Sequence, residues 1–138
     1  MNLDKSWVLP IKKSNEGLKH ELIHFQINEI FVRKLRCYIL NGKFSYYNFN
    51  SILSDLLKEY RYFSHALNKN YDKITNHGVI ESEQKRWESL VESIMKKSKK
   101  YNNSYITVPM LYYNKSFEKY NKTCCNECDF LKEFDLIK

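Results

Sequence analysis

Three stretches of this chain repeat apolar residues at spacings of three and four, and that periodicity constrains the fold more than any other feature. The first follows Ser14, a side chain suited to capping a helix N-terminus, with Glu16 in its first turn, and runs to the stop signal Asn41-Gly42. Its inward face is Ile23, Ile27, Ile30, Phe31, Leu35, Tyr38 and Ile39. The second starts at Asn50 or Ser51 and ends near Asn68, turning Ile52, Leu53, Leu56, Leu57, Tyr60, Phe63 and Leu67 inward. The third spans Ile80 to Lys100, with Trp87, Leu90, Val91, Ile94 and Met95 inward and Glu81, Glu83, Lys85, Arg86 and Glu88 outward. Residues 43–50 read as an aromatic turn and 68–78 as a polar connector. With only 3 Gly and 2 Pro among 138 residues, little else interrupts the helices.

The expectation is one mainly α domain over residues 1–138. Residues 1–13 form an extended lead-in, where Pro10 argues against helix and Trp7, Val8, Leu9 and Ile11 can pack on the body. Residues 14–100 form a three-helix core. Residues 101–138 hold a short β or extended segment and a Cys-x-x-Cys zinc knuckle packed on helix one. The segment Ser104 to Tyr113 is β-branched and aromatic, and Pro109 confines any strand there to an edge. Phe130, Leu131, Phe134, Leu136 and Ile137 suit a short closing helix. No apolar run approaches the roughly 18 residues that a membrane span needs, and MNLDKSWVLPIKK lacks the apolar region and cleavage site of a signal peptide. A cytoplasmic protein without a membrane partner is expected, its cysteines reduced or metal-bound instead of forming a disulfide frame.

Charge points to the partner. Lys and Arg number 23 against 16 acids, a formal net charge of +7, and the only arginines are Arg33, Arg36, Arg61 and Arg86. Lysine attracts phosphate without reading bases, so RNA or a ribonucleoprotein recognised through its backbone fits this balance. The densest cluster is Lys96, Lys97, Lys99 and Lys100, leading into Tyr101; Lys12, Lys13 and Lys19 make a second patch. The first cluster equally suits a solvated helix C-terminus, where cations complement the macrodipole. A small-molecule substrate is not expected, because the chain has no Gly-rich phosphate loop, nucleophile elbow or dinucleotide fingerprint.

Two motifs carry metal chemistry. His20-Glu21-Leu22-Ile23-His24 puts two imidazoles about 6 Å apart on one helical face, and Cys125-Asn126-Glu127-Cys128 brings two thiolates together, with Cys124 as a spare. Two nitrogens and two sulfurs suit tetrahedral Zn²⁺, and the spacing resembles that of zinc modules with two cysteine and two histidine ligands, with the order along the chain reversed. Such a site ties the tail onto helix one and adds to the folding energy. The bland alternative is an ordinary half-buried, hydrogen-bonded histidine pair. Cys37 reads as core, and His65 and His77 as surface or connector residues. Arg61 and His65, one turn apart, echo helical ribonuclease motifs at a shorter spacing than those motifs use.

The same five residues match the His-Glu-x-x-His helix of zinc metallopeptidases. In that family's terms His20 and His24 hold zinc, Glu21 activates the bound water, and Asp55 or Glu59 is the candidate third ligand. No His-x-x-Gly-x-x-His extension follows His24, little chain precedes the motif for a substrate-aligning sheet, and a thiolate pair would close the site. The first expectation is therefore a non-enzymatic, zinc-stabilised protein that binds RNA or a ribonucleoprotein, with the peptidase as the alternative. The 14 Asn, 19 Lys and 11 Tyr resemble the usage of AT-rich genomes of compact parasites or their viruses. A small, basic, zinc-tied helical protein of this kind is similar to the ribosome dormancy factors of microsporidia. That resemblance implies a ribosome-associated hibernation factor that inhibits translation, and it gives no residue a role.

Overall fold

The computed structural model of the chain describes residues 14–42, 44–108, 110–111 and 134. Three helices make up most of it: α1 (Asn15–Asn41), α2 (Phe49–Thr75) and α3 (Glu81–Lys97), with a 3-10 turn at Lys99–Tyr101. Two short strands, β1 (Phe44–Ser45) and β2 (Met110–Leu111), pair in parallel, Phe44 with Met110 and Ser45 with Leu111. The mainly helical expectation therefore holds. The expected zinc-knuckle cysteines Cys125 and Cys128, and the spare Cys124, lie outside the described residues, as do the lead-in and Lys12 and Lys13.

Local chemistry explains most boundaries. Ser14 caps α1, its hydroxyl accepting a hydrogen bond from the Gly17 N–H at 3.1 Å. At the other end Gly42 is extended, with φ −85°, so it is not a left-handed stop. Glycine is required there by crowding: a Cβ would stand 2.5 Å from the Phe44 ring and 2.9 Å from the Tyr38 carbonyl oxygen. Phe44 folds back over the helix end and meets Phe49 edge-on, ring centroids 5.3 Å apart. That contact draws α2 into helix at Phe49, with Asn48 as its N-cap residue, ahead of the expected start at Asn50 or Ser51.

The larger departure is at the far end of α2. The helix continues through the expected polar connector to Thr75, because Leu67, Tyr71 and Ile74 maintain the three-and-four spacing beneath a polar outer surface. Asn76 then adopts a left-handed conformation, φ 47°, and the His77 N–H donates to the Asp72 carbonyl at 2.8 Å, a Schellman-type closure. α3 stops at Lys97, short of the expected Lys100. The fully buried Ser98 turns the chain into the 3-10 segment.

The core forms where the three helices meet. Ile27 and Ile30 of α1, Tyr71 of α2, and Trp87, Val91 and Ile94 of α3 are completely shielded from solvent. Full burial of one such apolar side chain stabilises the fold by about 1.5–3 kcal/mol. Trp87 packs between Tyr71 and Phe134, with centroid distances of 5.0 and 6.0 Å, so Phe134 joins the core. Cys37 is fully buried, as expected for core, but it is disulfide-bonded, against the expectation of reduced thiols.

Two of the four arginines have internal roles. Buried Arg33 donates from Nη1 to the Met95 carbonyl at 2.9 Å, and Arg36 from Nη1 to the Tyr101 carbonyl at 3.0 Å. Both also pair with Glu29, at 2.9 and 3.0 Å. Together they donate to carbonyls at the end of α3 and the 3-10 turn, where the Ser98 hydroxyl also reaches the Met95 carbonyl at 3.4 Å. No described helix is long and apolar enough to cross a membrane.

Candidate metal centre

His20 and His24 lie on the face of α1 that turns toward the C-terminal third of α2, the part of that helix the polar composition had concealed. There α2 supplies Asn68, Tyr71 and Asp72, and the first turn of α3 adds Gln84. The His20 ring stacks on Tyr71 at 4.7 Å with planes 18° apart, and His24 meets both rings edge-on, at 4.8 and 5.0 Å. His20 is buried and His24 partly so, whereas about a third of the Asp72 side chain is open to solvent (32%).

Hydrogen bonding fixes which nitrogen of each ring carries its proton. Burial, the leading cause, pushes the Tyr71 phenol far above its ordinary range, so its hydroxyl stays protonated and donates to Gln84 Oε1 at 2.7 Å. The Gln84 amide nitrogen donates to Glu88 at 3.3 Å, leaving the same Oε1 to accept from His20 Nδ1, also at 3.3 Å. Asn68 uses its amide nitrogen on the Ser64 carbonyl and on Asn28 Oδ1, at 2.8 and 3.0 Å. Its oxygen therefore accepts from His24 Nδ1 at 2.6 Å. With each Nδ1 engaged in this way, Nε2 is the ring atom left to face Asp72, as a lone pair when the ring is neutral and as an N–H donor when it is protonated.

Those Nε2 atoms converge. The two Nε2 atoms stand 3.2 Å apart, and they lie 3.0 Å (His20) and 2.9 Å (His24) from Asp72 Oδ1. Bonds of about 2.0–2.1 Å around a tetrahedral zinc place neighbouring donors about 3.3 Å apart. The triad has that size with modest expansion. Protons on both Nε2 atoms would satisfy the two contacts to Asp72 but leave two N–H groups facing each other at 3.2 Å, whereas a divalent cation satisfies all three contacts. The amide oxygens of Gln84 and Asn68 orient the two imidazoles, in the positions that such acceptors take behind a metal-binding histidine. Burial alone would push the Asp72 carboxyl up, but the charges and hydrogen bonds of His24 and His20 outweigh it and hold the group below the usual carboxylate range. The donor set, two imidazoles and a carboxylate, fits Zn²⁺.

The triad revises several expectations. Asp72, not Asp55 or Glu59, stands at the histidines: a rise of about 1.5 Å per residue puts Glu59 about 20 Å and Asp55 about 25 Å away along α2. Asp55 is exposed and lies 3.9 Å from Lys58. Glu21 is exposed on α1. His77 is exposed in the connector, as expected, yet its Nδ1 lies 3.4 Å from Asp72 Oδ1. Asn68, Tyr71, Asp72 and Gln84 carried no recognisable motif. The one signal that reveals them is the apolar spacing past Leu67, which keeps Asn68 and Asp72 on one helical face.

Beyond His24 a groove of about 550 Å³ separates α1 from α2, with Phe31 and Leu57 in its walls and Arg61 and His65 on its α2 side. Lys97, Lys99 and Lys100 lie around the end of α3 with Lys96, and Lys19 is exposed on α1 beside His20. No protein-family model, curated protein or solved structure matches this chain.

Proposed function

We propose that this chain is a zinc-stabilised, basic helical protein that binds RNA or a ribonucleoprotein without enzymatic activity, in a setting such as ribosome dormancy. The observation that carries the reading is the approach of His20 Nε2, His24 Nε2 and Asp72 Oδ1 to within about one ligand–ligand spacing. An ion there cross-links α1 to the end of α2, so its binding energy becomes folding energy. For the partner, support comes from the net charge of +7 and from the lysines at positions 96, 97, 99 and 100. The Arg33 and Arg36 bonds hold the chain segment bearing them in place. With those two arginines occupied internally, lysine supplies most of the remaining positive charge, which favours phosphate contact over base readout.

Elemental analysis tests the metal: one zinc per chain is expected, lost in His20→Ala/His24→Ala and in Asp72→Ala. Ribosomal RNA binding tests the partner. Four phosphate contacts predict a log–log salt slope of about −3, at roughly −0.7 to −0.9 per contact. Reversing Lys96, Lys97, Lys99 and Lys100 to Glu should abolish binding. Affinity that is indifferent to salt, or that survives the reversal, refutes the RNA reading.

The peptidase is the second reading, and Asp72 favours it by completing a set of two histidines and a carboxylate. It requires Glu21 to reach the metal-bound water from its exposed position on α1. Peptide hydrolysis that disappears in Glu21→Gln while zinc remains bound would establish it.

A further inference from the structure

We propose that His77 is the fourth protein ligand of the ion held by His20, His24 and Asp72, and that it is an exchangeable one; the proposal rests on the metal-site reading above. His77 Nδ1 lies 3.4 Å from the same Asp72 oxygen that the other two histidines approach. Three imidazoles from two separate segments thus gather about a single carboxylate oxygen. Tetrahedral zinc requires a fourth donor. His20 is covered by Tyr71, Gln84 and Gly78, and His24 is held from its far side by Asn68. The partly open side of the triad is at Asp72, where His77 stands.

The backbone holds His77 in this place at a cost. Asn76, His77 and Gly78 all have positive φ, at 47°, 55° and 86°. A helix usually ends with one such residue, commonly glycine, and an L-residue adopts that conformation only against steric resistance. The turn is secured by the His77 N–H on the Asp72 carbonyl at 2.8 Å, the Gly78 N–H on Thr75 Oγ1 at 3.2 Å and the Ile80 N–H on the Thr75 carbonyl at 2.9 Å. The first of these fastens the His77 main chain to Asp72 itself. The imidazole remains 62% exposed, so it can rotate onto the open vertex without displacing core atoms. With His77 on the ion the site is four-coordinate and closed, as in structural zinc centres. With His77 swung away the vertex is open to water.

Cobalt(II) bound to the full-length chain gives the test, because the intensity and position of its visible bands report coordination number. His77→Asn removes the imidazole while keeping a residue that tolerates the left-handed conformation, and circular dichroism verifies that the helices are retained. Cobalt should still bind, its visible bands should shift as water oxygen replaces the ring nitrogen and weaken if a further water adds, and affinity should fall about tenfold or more. Unchanged bands and affinity in His77→Asn overturn the proposal while leaving the triad in force. An intense near-ultraviolet thiolate band that disappears in Cys125→Ser/Cys128→Ser assigns the vertex to the tail and also overturns it. If the wild-type chain takes up no cobalt, or takes it up equally after His20→Ala/His24→Ala, the metal-site reading itself fails and the proposal with it.

Discussion

Gly78 rests directly on the His20 ring: a Cβ on residue 78 would stand 3.1 Å from His20 Nδ1 and 3.2 Å from its Cβ and Cγ. At φ 86° the residue also occupies a conformation that L side chains resist. Gly78→Ala therefore combines backbone strain with pressure on the imidazole whose Nδ1 faces Gln84. A loss of about 1–3 kcal/mol is expected in urea denaturation, together with weaker zinc binding by titration calorimetry. A zinc affinity equal to wild type would mean that the turn does not position His20.

The three helices were legible because burial imposes a period on the sequence that few Gly or Pro residues interrupt. Ile23, Ile27, Ile30, Trp87, Val91 and Ile94 are buried as their spacing requires. The His20–His24 half of the candidate site was legible for the same reason: an i, i+4 pair shares a face wherever the helix lies. Asp72 was not, since its place depends on α2 persisting through Asn68, Lys69, Asn70 and Lys73, residues whose composition reads as a connector. Gln84 and Asn68 are uninformative without tertiary contact, as an amide oxygen that orients a distant imidazole leaves no local pattern. The internal use of Arg33 and Arg36 was concealed likewise, since only packing of α1 against the end of α3 turns a cation into a cap.

Tyr71 links the core to the triad through Gln84. Tyr71→Phe preserves the stack on His20 but removes the 2.7 Å donation that helps fix the Gln84 amide. The variant should lose about 1 kcal/mol of stability and bind zinc about tenfold more weakly, measured by thermal melts with and without the metal. Retention of full zinc affinity would show that Gln84 is oriented without the phenol.

Asp72 should account for most of the metal's effect on stability. A chelator should lower the melting temperature of the wild-type chain and leave Asp72→Asn nearly unaffected, with zinc affinity in the variant reduced by more than about a hundredfold. The chelated proteins should also differ in acid. Because the folded chain holds the Asp72 carboxyl below its ordinary range, the stability it contributes is complete above the unfolded pKa. That contribution is lost as pH falls through the lower folded value. Asp72→Asn should therefore lose less stability over that acid window.

Arg33 is buried against the end of α3, and its removal leaves the Met95 carbonyl and one Glu29 oxygen without its donation. Arg33→Ala should destabilise the fold by about 2–4 kcal/mol in chemical denaturation. The lysines at 96, 97, 99 and 100 remain, so RNA affinity measured on the folded fraction should fall by less than in the lysine reversal. A loss as complete as that of the reversal would make Arg33 part of the binding surface.

The cysteines discriminate between two ways of closing the metal site. Cys37 is disulfide-bonded, and the other cysteines in the sequence are Cys124, Cys125 and Cys128. A site that draws on both Cys125 and Cys128 requires Cys37 to pair with Cys124, because a cysteine in a disulfide cannot supply a thiolate. A site completed by His77 carries no such requirement. Proteolytic mapping of the oxidised chain under denaturing, non-reducing conditions should identify the cross-linked pair, and thiol titration should count two free cysteines. A Cys37 link to Cys125 or Cys128 excludes the arrangement of two histidines with both knuckle cysteines and leaves the His-His-Asp set with His77. A Cys37–Cys124 link keeps both closures available, and zinc content in Cys125→Ser/Cys128→Ser then separates them, unchanged for His77 and lost for the thiolates. Reduction should lower stability in either case, by about 2–5 kcal/mol, the usual cost of removing a native disulfide from a small domain.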